Sequence, residues 1–121
     1  MAARNPLLTT PPYAVDQAIR RLGASLRTAR VRRNLSIEAV ARKIGANRRV
    51  VADAERGKPS TGIAVYVALL WTVGLVDQLA AVADPARDDE GAALARSREH
   101  GRAHRGRTQG TNARKALSDD F

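Results

Sequence analysis

Cysteine is absent from the 121 residues, which excludes a disulfide framework, a thiolate metal site and a cysteine nucleophile. Aromatic side chains are few: one Trp, two Tyr and one Phe. Burial must therefore come from Ala, Val, Ile and Leu, enough for one modest helical core. No apolar run reaches the roughly 18 residues of a membrane span, so no membrane partner is expected. Met1 to Pro12 holds prolines and polar residues where an export signal needs an apolar stretch, and with no cysteine the chain is expected in the cytoplasm. Neither a Ser/His/Asp arrangement nor a phosphate loop is visible, so no catalytic residue, cofactor or enzyme activity is assigned. His100 and His104 stand four apart without a third ligand nearby, so no metal site is assigned either.

Acidic groups are also scarce, 12 against 21 Lys and Arg, for a net charge of +9. The imbalance is local: residues 1–35 carry seven basic groups and one acid, residues 36–60 six and three, and residues 61–83 a single acid. Residues 84–121 carry eight and seven. A cationic first half beside an almost uncharged apolar segment suggests a polyanion-binding face backed by a packing or self-association element. The alternative is compositional, since 18 of the 21 basic residues are Arg.

From about Asp16 to Arg33, Ile19, Leu22, Leu26 and Ala29 recur at helical spacing, with arginines on the other faces. Ser36 is a good N-cap for a second helix with Ile37, Val40, Ala41 and Ile44 as its apolar set, and Gly45 ends it. Asn47 caps a third, Arg48 to Glu55, with Val50, Val51 and Ala54 inward. Helices joined so tightly must cross steeply, which requires a small residue such as Ala41 at the contact.

Residues 61–83, TGIAVYVALLWTVGLVDQLAAVA, predict two more helices broken at Gly74. Ile63, Val67, Leu70 and Trp71 can close the core, and Leu75, Leu79 and Val82 form a further stripe. Trp71, Leu75, Leu79 and Val82 are candidates for a homodimer interface, the alternative being an internal core stripe. From Asp84 the composition turns acidic, Ala92 to Glu99 predicts a short helix, and HGRAHRGRTQG cannot bury a core.

The stretch LSIEAVARKIGANRRVVADAERGK, Leu35 to Lys58, resembles the helix-turn-helix of phage-repressor-like regulators of the Cro/C1 or Xre type. The matching positions are Val40, Ala41, Ile44, Gly45, Val51 and Ala54, followed by Glu55, Arg56, Gly57 and Lys58. The resemblance implies an all-α fold: a five-helix phage-repressor-like domain over residues 16–83, a flexible arm over 1–15 and a largely disordered tail over 84–121. It also implies a pair between Arg30 and Glu55. Where many members have Gln at the first position of the second motif helix, this chain has Ile37, which removes one expected phosphate contact.

In such motifs the early positions of the second helix enter the major groove of double-stranded DNA. Here these are Arg48, Arg49, Ala52 and Asp53. Arg48 and Arg49 can each hold guanine by two hydrogen bonds or simply neutralise phosphate, and Asp53 can accept from cytosine or orient an arginine. Asn47, Arg42, Lys43 and Lys58 are phosphate candidates, with capping the alternative for Asn47. The segment ALLWTVGLVDQLAAVADPARDDEGAALARSR further resembles the C-terminal portion of small Xre-type antitoxins encoded beside HipA-like kinases. That resemblance implies a dimeric repressor, on the nucleoid when DNA-bound, that holds a kinase toxin inactive; the alternative is a stand-alone regulator.

Overall fold

The structure is a computed structural model and describes residues 5–109, with side chains through residue 103. The described residues are mostly helical, with no strand among them. The helices are α1 (Pro6–Thr9), α2 (Tyr13–Arg32), α3 (Ile37–Ile44), α4 (Arg48–Glu55), α5 (Ile63–Thr72) and α6 (Asp89–Gln109). Two 3-10 helices span Val76–Ala81 and Pro85–Arg87. The chain forms two compact units, Met1–Gln78 and Leu79–Phe121.

In the first unit one terminating device recurs. The helices α2, α3, α4 and α5 are each followed by a left-handed residue, Asn34, Gly45, Gly57 and Gly74 in turn. In each case the next residue's N–H reaches back to a carbonyl five positions earlier: Leu35 to Arg30, Ala46 to Ala41, Lys58 to Asp53 and Leu75 to Leu70. This satisfies carbonyls that a helix end otherwise strands and turns the chain sharply four times. The starts of α3 and α4 are fixed by side chains: Ser36 Oγ accepts from the Ala39 N–H at 3.0 Å and Asn47 Oδ1 from the Val50 N–H at 2.9 Å. Each such cap is worth about 1 kcal/mol.

The core comprises Leu26 and Ala29 of α2, Val40 and Ala41 of α3, Val51 and Ala54 of α4, Tyr66, Leu69 and Leu70 of α5, and Val73. Ala41 is buried in α3, which packs against both α4 and α5. The expected face of α5 is corrected in part: Leu70 is buried as expected, with Tyr66, Leu69 and Val73 inward beside it, while Ile63 is 70% and Trp71 55% exposed. In IAVYVALLWT apolar residues surround the helix, so periodicity selects no face.

Other expectations change at the ends. α2 starts at Tyr13, behind Pro12, and α1 lies within the stretch expected as a flexible arm. After Gly74 the chain forms a 3-10 helix over Val76–Ala81 where a further helix carrying the Leu75, Leu79 and Val82 stripe was expected. In the second unit the expected short helix over 92–99 is part of α6, 21 residues long, so the stretch through Gln109 is helical where disorder was expected. Its start is set by Asp88, whose Oδ1 accepts from the Gly91 N–H at 2.9 Å. The remainder of the expected tail, from residue 110, lies outside the described residues, as do the side chains of His104 and of the Arg-Gly-Arg at 105–107.

Candidate nucleic-acid interface

The helix α4 is anchored at its C-terminal end and presents cations at its N-terminal end. Glu55, its last residue, receives two bonds from Arg30 of α2: Nε to Oε2 at 2.6 Å and a terminal guanidinium N–H to Oε1 at 3.0 Å. The remaining terminal nitrogen of Arg30 donates to the Leu35 carbonyl at 2.8 Å. One guanidinium thus ties α2, the α2–α3 connection and the end of α4. Both side chains are nearly buried, 12% exposed for Arg30 and 6% for Glu55. The Glu55 hydrogen bonds hold the Arg30 pKa above its already high ordinary value, against the opposing effect of burial.

Two glycines set how closely α4 approaches α2. A Cβ on Gly23 would lie 2.4 Å from the Ala54 carbonyl oxygen and 2.6 Å from that of Glu55. A Cβ on Gly57 would lie 2.5 Å from the Cα of Arg20. Backbone therefore rests on backbone at Arg20 and Gly23, about two to three turns of α2 before Arg30. Gly23 was not singled out in the sequence; its one signal is a glycine inside an otherwise regular helical pattern.

Arg48 and Arg49 are exposed in the first turn of α4. Arg48 lies 3.3 Å from Glu38 of α3, with both side chains well exposed, at 71% and 63%. An exposed pair of this kind contributes about 0–1 kcal/mol and is easily exchanged for another acceptor. Arg49 is in none of the ion pairs among the described residues. Asn47 uses its carboxamide oxygen as the helix cap, the alternative role considered for it. On α3, Arg42 and Lys43 are exposed, with Lys43 Nζ 5.1 Å from the centre of the Trp71 ring.

Asp53 pairs with an arginine, the alternative considered for it. It is only 9% exposed, and its carboxylate faces the C-terminal end of its own helix, where it pairs with Arg56 and lies 3.6 Å from Lys58 Nζ. A carboxylate held there is not presented with Arg48 and Arg49 and is withdrawn as a base reader. It instead bears on Lys58, which remains about half exposed. Beneath it the buried Tyr66 hydroxyl donates to the Lys58 carbonyl at 3.3 Å.

Of the expected interface stripe, Trp71 and Val82 are well exposed, while Leu75 and Leu79 are half-buried. Leu75 faces α2, lining a hollow with Leu22, Leu26 and Leu70. Leu79 and Val82 belong to the second unit. Among the described residues no group of three or more His, Asp or Glu is placed to hold a metal, and no helix is long and apolar enough to cross a membrane. No family model, no curated protein and no solved structure matches the chain.

Proposed function

We propose that this chain is a sequence-specific, DNA-binding transcriptional repressor that lays the N-terminal turn of α4 in the major groove. The observation that carries the reading is the polarity of α4. Its C-terminal end is fixed to α2 by the Arg30–Glu55 pair, while its capped N-terminal end offers Arg48 and Arg49 to solvent. A reading helix needs such an anchor, because base discrimination depends on guanidinium groups held in a fixed register against base edges. Arg42, Lys43 and Lys58 supply phosphate contacts beside it, and the net charge of +9 favours the polyanion.

The repressor acts as a dimer, with the exposed Trp71 of the first unit as an apolar contact, so that two α4 helices meet two half-sites. The narrower role, antitoxin of a HipA-like kinase, rests on the resemblance of residues 68–98; a stand-alone regulator is the alternative. Selection from a pool of random duplexes tests the main reading. A recovered consensus containing guanine, bound far more tightly than scrambled duplex and with affinity falling steeply as salt rises, supports it. Equal binding of all duplexes would overturn it. Copurification of a kinase encoded by the adjacent reading frame decides between antitoxin and stand-alone regulator.

A further inference from the structure

On α2, the side away from α4 carries a groove that the DNA reading does not use. Arg21, Ser25 and Arg32 stand roughly 160–200° around the helix from Gly23, which faces α4, at 3.6 residues per turn. Two adjoining hollows of about 480 and 370 Å3 lie there, sharing Arg21, Ser25, Ala29 and Leu75 in their walls. Together they run from Ala18 to Arg33, about 22 Å of helix at 1.5 Å per residue. Both are open troughs. Leu22 and Leu70 beside Leu75 make the floor of the smaller hollow, Ala24, Ala29 and Leu75 supply the apolar side chains of the larger, and no acidic side chain lines either.

The cations along the rim are uncommitted to acids. Among the described residues neither Arg21 nor Arg32 joins an ion pair, whereas neighbouring Arg20 is bound to Asp16 at 2.9 Å. Arg33, also on the rim, is steadied by a 2.8 Å bond to the Ala29 carbonyl. We propose that this groove docks an acidic amphipathic helix of a partner protein. Its leucine-type side chains would lie on the floor and its carboxylates would meet Arg21 and Arg32. An open trough about four turns long with an apolar floor matches one face of a helix. Duplex DNA would satisfy the rim but leave the leucines uncovered. Because the groove and α4 lie on opposite sides of α2, such a partner can bind without displacing DNA.

The probe is a labelled synthetic peptide of about 18 residues, with leucines three and four apart and glutamates elsewhere, beside a twin carrying lysine in place of glutamate. Fluorescence anisotropy with the full chain should show saturable binding of the glutamate peptide and none of the lysine twin. Arg21→Glu and Arg32→Glu should each weaken binding about tenfold or more, as reversal of a contacting charge does, while Arg27→Glu, exposed on another side of α2, should change it little. Ser25 lines both hollows, so Ser25→Trp should fill the groove and abolish binding without changing charge. Equal loss in Arg27→Glu would reduce the effect to general charge attraction and overturn the proposal. It is equally overturned if Ser25→Trp abolishes self-association, which assigns the groove to a second copy, or weakens duplex binding, which assigns it to DNA.

Discussion

Arg30 and Glu55, 25 residues apart in sequence, meet through two hydrogen bonds in a nearly buried pair. Removing one member strands the other, which typically costs about 3–5 kcal/mol. Glu55→Gln should fall toward the lower end, since Arg30 keeps the Leu35 carbonyl. Urea unfolding should show this loss, and Arg30→Ala combined with Glu55→Gln should cost much less than the sum of the single changes. Additive costs would make the two residues energetically independent. A loosened α4 should also weaken selected duplex and scrambled duplex unequally, the former more.

Gly23 gives a prediction opposite to helix propensity. Alanine normally stabilises a helix interior by about 1 kcal/mol over glycine. Here the added methyl meets the Ala54 and Glu55 carbonyls, which belong to backbone and cannot swing aside. Gly23→Ala should therefore lower stability by about 1–3 kcal/mol, the usual range for overpacking. Gly101→Ala in α6, where the new Cβ would meet nothing within 4 Å apart from the adjoining residues and backbone of its own helix, should raise the helicity of that segment. A stabilised Gly23→Ala protein in thermal unfolding would mean that the two helices stand farther apart.

The legible parts of the fold were those written in local chemistry. Ser36, Gly45 and Asn47 each act on backbone within a few residues, so the α3–α4 turn could be read from sequence. What depended on distant neighbours could not. The buried face of α5 is chosen by what packs against it, because its own sequence is apolar all round. Asp53 is a different case: its partners Arg56 and Lys58 are only three and five residues away, so its arginine-pairing alternative was open in the sequence, and the turn at Gly57 brings Lys58 back to it. The reach of α6 was hidden because Gly101 and Gly106 weigh against helix, whereas the alanines and arginines between and around them favour it. The Arg30–Glu55 pair was expected only through the family resemblance, as nothing in a separation of 25 residues marks a contact.

Tyr66 should make stability sensitive to alkaline pH. Burial raises its phenol pKa most; the Thr61 hydroxyl pulls it back, and the Asp53 charge raises it further. With the folded pKa above the unfolded value, the native state holds the proton more tightly. The stability this contributes is fully present below the unfolded pKa, about 10, and is lost as pH climbs through the folded value. Unfolding free energy should fall across that window, and Tyr66→Phe should flatten that part of the decline. A wild-type decline unchanged in Tyr66→Phe would place its cause elsewhere.

Base reading should divide between two adjacent arginines. Arg49 has no ion-pair partner among the described residues, while Arg48 must first leave Glu38. Arg49→Ala should cost about 1–3 kcal/mol on a selected site and flatten the preference at one base pair. Glu38→Gln should tighten binding of all duplexes slightly by releasing Arg48. Lys58→Ala should weaken every duplex alike, and Asp53→Asn should do so less, by altering the field around Lys58. Titrations on selected and singly mutated duplexes separate these outcomes, and an unchanged preference in both Arg48→Ala and Arg49→Ala would remove them as base readers.

Self-association can be followed through the single tryptophan. Trp71 is 55% exposed, with Lys43 5.1 Å from its ring centre, so in the isolated chain its indole is partly in water. If a second copy covers it, emission should shift to shorter wavelength as concentration rises, along with a sedimentation change from monomer to dimer. Trp71→Glu should stop that sedimentation change and leave the helical content intact, because the side chain lies outside the Tyr66, Leu69 and Leu70 face. The same variant should bind a two-half-site duplex little better than a single half-site, having lost the advantage of linked contacts. Lys43→Ala, which removes the cation over the ring, should alter the emission of the monomer at any concentration. A parent chain that stays monomeric at high concentration, or a Trp71→Glu chain that still pairs, would move the dimer contact off this face of α5 or dispense with the dimer.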